Sequence, residues 1–191
     1  MPSGGPGGTL PAYRPGHPRR SVRVPKDPAL YPVAGVPVRT PQDLWAALLA
    51  LNDPARHPYT VRAGFADGAD LVAEYRRVLR AYGTLTGRRR QECEEFQVRM
   101  WFDPAIHQVR SVDHMTGYTL TLTDPPRRRT TSWSRGQLYQ KHTTYEWGRT
   151  PEGRRRFVET SRFDSGVLKQ ALQSTALAHG WSWLPLTRPP S

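Results

Sequence analysis

Three runs of consecutive arginines, Arg88–Arg90, Arg127–Arg129 and Arg154–Arg156, carry the densest chemistry in this chain. A guanidinium presents a planar fork of N–H donors that matches the oxygens of a phosphate or a carboxylate. Arg149 lies just ahead of the third run, and Trp133, Tyr139, Tyr145 and Trp147 fall between the second and third. Cations beside aromatic rings suit a phosphate backbone with stacked bases. The candidate anion-binding set is therefore Arg127, Arg128, Arg129, Arg149, Arg154, Arg155 and Arg156. The same pattern also fits a plainer arrangement, in which the rings face a core and the arginines keep hairpin ends soluble.

Other chemistries are poorly supplied. The histidines are His17, His57, His107, His114, His142 and His179, and no two are spaced two or four apart as paired metal ligands on one strand or helix would be. Cys93 is the single cysteine, which excludes an internal disulfide and multi-cysteine metal sites. It lies among Glu92, Glu94 and Glu95, a poor setting for a nucleophile. These acids follow Arg88–Arg90 directly, so mutual neutralisation on a surface is the simplest reading. Asp164-Ser165-Gly166 lacks the pattern of a nucleophile elbow and reads as a helix cap. The glycines at 4, 5, 7 and 8 precede no helix and make no phosphate loop. No catalytic residue, metal or cofactor is expected.

Lys plus Arg number 28 against 16 Asp plus Glu, a formal charge of +12 over 191 residues. Such charge favours an acidic protein surface, nucleic acid or anionic lipid. Only Lys26, Lys141 and Lys169 are lysines, and a GC-rich genome produces the same skew towards arginine without selecting a ligand. The longest apolar run, Leu44 to Leu51, is too short to span a bilayer. The first ten residues are uncharged and lack the pattern of a signal peptide, so a cytoplasmic location is expected.

What must position the arginines begins near residue 42. Residues 1–41 hold 10 of the 19 prolines and a net charge of +5. They bury too little apolar area to offset ordering and read as a disordered basic leader. Residues 42–186 then form a single domain, with 187–191 as a tail. Thr40-Pro41-Gln42-Asp43 is a helix start, and the helix runs to about Asn52. Alternation predicts strands at 59–63, 69–77, 96–102, 107–114, 118–123, 130–134, 138–147 and 155–163, with a turn at Thr116-Gly117 and an irregular stretch or short helix over 78–90. A second helix, capped at Ser165, has apolar residues at Leu168, Ala171, Leu172 and Ala176 and stops at Gly180. Trp181-Ser182-Trp183 reads as a short final strand. The expected fold class is α+β: an antiparallel meander of about seven or eight strands with an N-terminal and a C-terminal helix packed on it.

Tyr59-Thr-Val-Arg62, Ala69 to Arg76, Phe102-Asp-Pro-Ala105 with Val109 to Asp113, Arg135-Gly-Gln137, Phe163 to Lys169 with Leu172-Gln173, and Gly180-Trp-Ser-Trp183 follow one another in that order. The chain resembles a family of small bacterial proteins of unknown function with a Gly/Pro-rich leader before an α+β domain. The resemblance covers roughly residues 44–186 and implies the domain boundary; it brings no site.

Alternating the strand directions places the loops at 124–129 and 148–154 at one end of the sheet, and Arg88–Arg90 at the other. The leading expectation is a non-enzymatic binding or adaptor domain that uses this arginine-rich end on an acidic protein or nucleic acid. Two alternatives differ in class. One is an enzyme or small-molecule binder with a pocket between the sheet and the C-terminal helix. The other is peripheral association with anionic membrane, which needs an exposed apolar face on the first helix.

Overall fold

A computed structural model describes residues 29–83, 88–149 and 155–190; at 142, 144–149 and 155–162 the backbone alone is described. The expected disorder of the leader over 1–28 falls outside the described residues, as does residue 191. The first helix, α1 (Pro41–Leu49), starts as its sequence demands. Thr40 Oγ1 accepts from the Asp43 amide at 3.1 Å, and the Asp43 carboxylate accepts from the Thr40 amide at 3.2 Å, a reciprocal cap. The helix ends at Leu49, short of the expected Asn52, whose side chain is taken up by both backbone groups of Val61.

Five strands follow in meander order: β1 (Thr60–Ala63), β2 (Leu71–Gly83), β3 (Arg89–Asp103), β4 (Gln108–Leu122) and β5 (Arg127–Gly136). All neighbours are antiparallel. A hairpin, β6 (Lys141–Arg149) and β7 (Arg155–Asp164), forms its own two-stranded sheet. The second helix, α2 (Ser165–Ala178), leads to β8 (Ser182–Pro185), which pairs parallel with β4. The α+β class holds, but the main sheet is six-stranded and mixed, where a single antiparallel meander was expected. The parallel strand arises because α2 carries the chain back across the sheet, a crossover that a hairpin turn cannot make.

Two further expectations are corrected. Residues 78–90 are not irregular at their two ends: β2 runs on to Gly83 and β3 begins at Arg89. Thr116-Gly117 is not a turn but part of the continuous strand β4, and the bulge there lies opposite it, at Thr131 of β5. A Cβ on Gly117 would meet Ser132 Oγ at 2.5 Å, so glycine lets β5 approach.

Side chains alternate between two faces, and directly paired residues share one. Tyr75, Phe96, Val98 and Met100 lie on the face covered by both helices through Leu44, Leu48, Leu168, Leu172 and Ala176. Phe163 of β7 stacks on Tyr75 with ring centroids 3.8 Å apart. The opposite face carries a polar network in which Arg62 and Arg99 both reach Asp67 and Arg62 also holds Glu74. α2 is capped by Asp164, which accepts from the Gly166 amide at 2.8 Å; Ser165, the expected cap, is buried and its hydroxyl accepts from the Gln140 amide. Gly180 is left-handed (φ 76°), as the C-terminal stop requires.

The folded domain starts before residue 42. Leu30 and Trp183 exchange both backbone hydrogen bonds, the Arg39 amide donates to His179 O, and Trp181 Nε1 donates to Arg39 O at 2.9 Å.

Candidate arginine-rich site

A fifteen-residue strand extends about 50 Å, longer than two short helices can cover. Beyond Tyr75 and Phe96 the sheet therefore continues as an arm, in which most of residues 76–83 and all of 126–133 are exposed. The register fixes what this arm displays. One row across it reads Tyr82, Arg90, Thr121, Arg127; the next inward but one reads Arg80, Glu92, Thr119, Arg129. Both rows continue the helix-covered face, since Arg90 and Glu92 are in phase with Phe96 on β3. In these two rows four guanidiniums share an exposed face with one carboxylate and two threonine hydroxyls. Arg80 also lies over the Tyr82 ring, 5.7 Å from its centroid.

The other side of the arm differs. Arg128 lies 3.7 Å from the Tyr118 ring centroid and 3.1 Å from a Glu95 carboxylate oxygen. Arg128 is consequently committed to the fold, whereas Arg127 and Arg129 make no ion pair among the described residues. Back on the first face, one row further in, Glu94 is held by Arg77 of β2 at 2.7 Å. Glu94 and Glu95 thus find arginines on β2 and β5, in addition to any neutralisation within their own segment.

The grouping of the arginine runs is the main correction. Because β4 is one strand, the chain enters β5 at the end where β2 passes to β3. Arg127–Arg129 therefore meet Arg89 and Arg90, which had been assigned to the opposite end. Arg149 pairs with Arg155, and Gly148 with Arg156, so these three arginines share the far end of the separate β6–β7 hairpin. Arg154 lies outside the described residues. Of the aromatic candidates, Trp133 is 71% exposed and Tyr139 48% exposed. The side chains of Tyr145 and Trp147 are outside those described.

Sequence reasoning missed Arg80 and set Arg90 aside. A signal was present: Thr-Gly lacks the Asn-Gly or Asp-Gly of a tight hairpin.

A cleft of about 240 Å³ opens at the start of α2 between Arg56, His57, Tyr59, Phe163, Asp164 and Val167. It lies beside the C-terminal helix, but is small against the roughly 300–1,000 Å³ of ordinary ligand pockets. On α1, Leu44 and Leu48 are fully buried and the exposed residues are Gln42, Asp43, Ala46 and Ala50, so this helix offers lipid no broad apolar face. Among the described residues no helix is long and apolar enough to cross a membrane, and no His, Cys, Asp and Glu group could hold a metal.

Compared with protein families, curated proteins and solved structures, the chain matches none of them. The site is therefore read from its geometry alone.

Proposed function

We propose that the chain is a non-enzymatic binding domain that holds an anionic partner, an acidic protein or a nucleic acid, on the arginine face of its sheet arm. One observation carries the reading: Arg80, Arg90, Arg127 and Arg129 come from three strands to one exposed face whose rows contain a single carboxylate, Glu92. Alternate residues along a strand lie about 6.6 Å apart, the spacing of Arg127 and Arg129, and Arg90 stands two strands, about 10 Å, from Arg127. The Arg127–Arg129 spacing suits successive phosphates or alternate carboxylates of an extended chain. Thr119 and Thr121 add hydroxyls between them. Arg149, Arg155 and Arg156 form a second basic end on the hairpin.

The reading is tested by binding to poly-glutamate and to a mixed-sequence single-stranded oligonucleotide across a salt series. Binding should weaken steeply with salt. Arg127→Ala with Arg129→Ala should weaken it roughly tenfold and flatten the salt dependence. Unchanged binding in that variant, or none to either polyanion at low salt, overturns the reading.

A further inference from the structure

Among the described residues nothing pairs with the outer edge of β5. β5 is last in the main-sheet path, and no backbone hydrogen bond among the described residues reaches its outer side. Residues 127–133 are exposed on both faces, so neither the hairpin nor a helix lies over them. A ten-residue strand left this way presents a row of unpaired N–H and C=O groups, a template for another strand.

Proteins usually blunt such an edge with charges, proline or a bulge spread along it. β5 has its bulge at Thr131 and no proline. Its charges are not spread. Arg127, Arg128 and Arg129 sit at one end and Arg135 at the other, and Thr130-Thr131-Ser132-Trp133-Ser134 between them is uncharged. Trp133, 71% exposed, stands on the central stretch. Charges that bracket an edge leave it free to pair and select what pairs with it.

Resting on the reading above, we propose that the partner is a protein, and that an extended acidic segment of it adds to the sheet as a strand along β5. Its main-chain groups pair with the open edge. Its carboxylates, on alternate residues, face Arg127 and Arg129, and an apolar residue covers Trp133. Charge complementarity selects this occupant. β5 carries four arginines and no acid, and antiparallel pairing with a second copy about Thr131 sets Arg127 against Arg135. A nucleic acid would use the arginines but leave the amide row unpaired.

The test uses the full chain and a labelled peptide of about ten residues, alternating glutamate and valine with one phenylalanine. Two further peptides are N-methylated on alternate amides, one on the odd and one on the even positions. Strand addition uses the amides of one side only. One methylated peptide should therefore bind like the parent and the other roughly tenfold or more weaker. Arg127→Ala with Arg129→Ala should also weaken the parent roughly tenfold. If both methylated peptides bind as the parent does, or both lose equally, charge alone holds the peptide; strand addition is overturned and anion binding survives. Binding of the oligonucleotide but not of the parent peptide does the same. Concentration-dependent dimers that the peptide cannot dissociate assign the edge to a second copy and overturn the inference. If neither polyanion nor peptide binds, both readings fall.

Discussion

The Arg128 guanidinium lies over the Tyr118 ring, 3.7 Å from its centroid, with a Glu95 carboxylate oxygen 3.1 Å away. Within one run of three arginines, the middle one braces β5 against β4 and β3 while its neighbours point to the other face. Arg128→Ala should cost about 1 kcal/mol of stability, the sum expected of a partly exposed cation–ring contact and ion pair. Arg127→Ala and Arg129→Ala should each stay within about 0.5 kcal/mol. Urea denaturation of the three single variants checks this. Equal effects would show that the run acts as undifferentiated charge.

Gly117 sets the approach of β5 to β4. Gly117→Ala should destabilise by about 1–2 kcal/mol, because the new methyl group meets Ser132 Oγ. Adding Ser132→Ala removes that oxygen, while Ser132 Cβ stands at 3.8 Å, and should recover most of the loss. Stability of the single and double variants measures the coupling.

Asp113 is 1% exposed beneath α2, with Lys169 Nζ at 2.5 Å and the Leu138 amide donating to the same oxygen at 2.7 Å. Lys169 Nζ also donates to Leu138 O. Lys169→Met should cost about 3–5 kcal/mol, since it leaves a buried carboxylate without its cation. Asp113→Asn combined with Lys169→Met should be more stable than Lys169→Met alone. The opposite order would mean that the pair does not act through charge.

His114 lies between Gln97 and Arg135 in register, with Nε2 buried and unpartnered. Burial first, then the charges of Arg99 and Arg135, hold its pKa down at about 4; Asp67 opposes them. Above about pH 7 the ring is neutral in both folded and unfolded chains and contributes nothing. As pH falls from the unfolded value of 6.5 towards 4, the unfolded chain takes up a proton that the folded one refuses. Stability should drop by on the order of 2–3 kcal/mol over that window and level off below it. His114→Phe should remove this part of the loss when the two chains are unfolded in urea at about pH 7.5 and about pH 4.5. A parallel pH dependence in both would exclude His114 as its source.

Gly180 has φ 76°, and a Cβ there would lie 2.7 Å from Val38 Cα and 2.8 Å from Pro37 O. These are backbone atoms that no rotamer change can move. Gly180→Ala should cost at least about 2 kcal/mol, more than the roughly 1 kcal/mol of a left-handed position alone. A chain beginning at residue 42 should lose stability as well, because Trp181 Nε1 is left without Arg39 O. Thermal unfolding of both reports whether residues 37–39 belong to the domain.

The elements that local rules govern were legible. Thr40-Pro41 with Asp43 capped α1, the apolar spacing from Leu168 to Ala176 placed the buried face of α2, and Gly180 ended it. Alternation found β1 and the core stretches of β2, β3 and β4. The arm was legible in part: 118–123 and 130–134 read as strands, but the run of β2 to Gly83 and the start of β3 at Arg89 did not, because residues there are mostly exposed and no apolar-polar period marks a buried face. Asp164 rather than Ser165 caps α2 because Ser165 is drawn into the packing, where its hydroxyl serves Gln140.

The sequence by itself determined that three arginine runs exist, that their guanidiniums suit anions in type, and which helices and core strands lie beneath. Which runs meet was decided by tertiary structure. A glycine between Thr116 and Tyr118 fits either a turn or a place beside a bulge, and only the pairing of Gly117 with Glu94 on one side and Ser132 on the other shows that β4 continues. A turn there would have reversed every later strand. The bulge does not, so Arg127 and Arg129 stand beside Arg90 at one end of the sheet, on a strand whose outer edge pairs with none of the described residues.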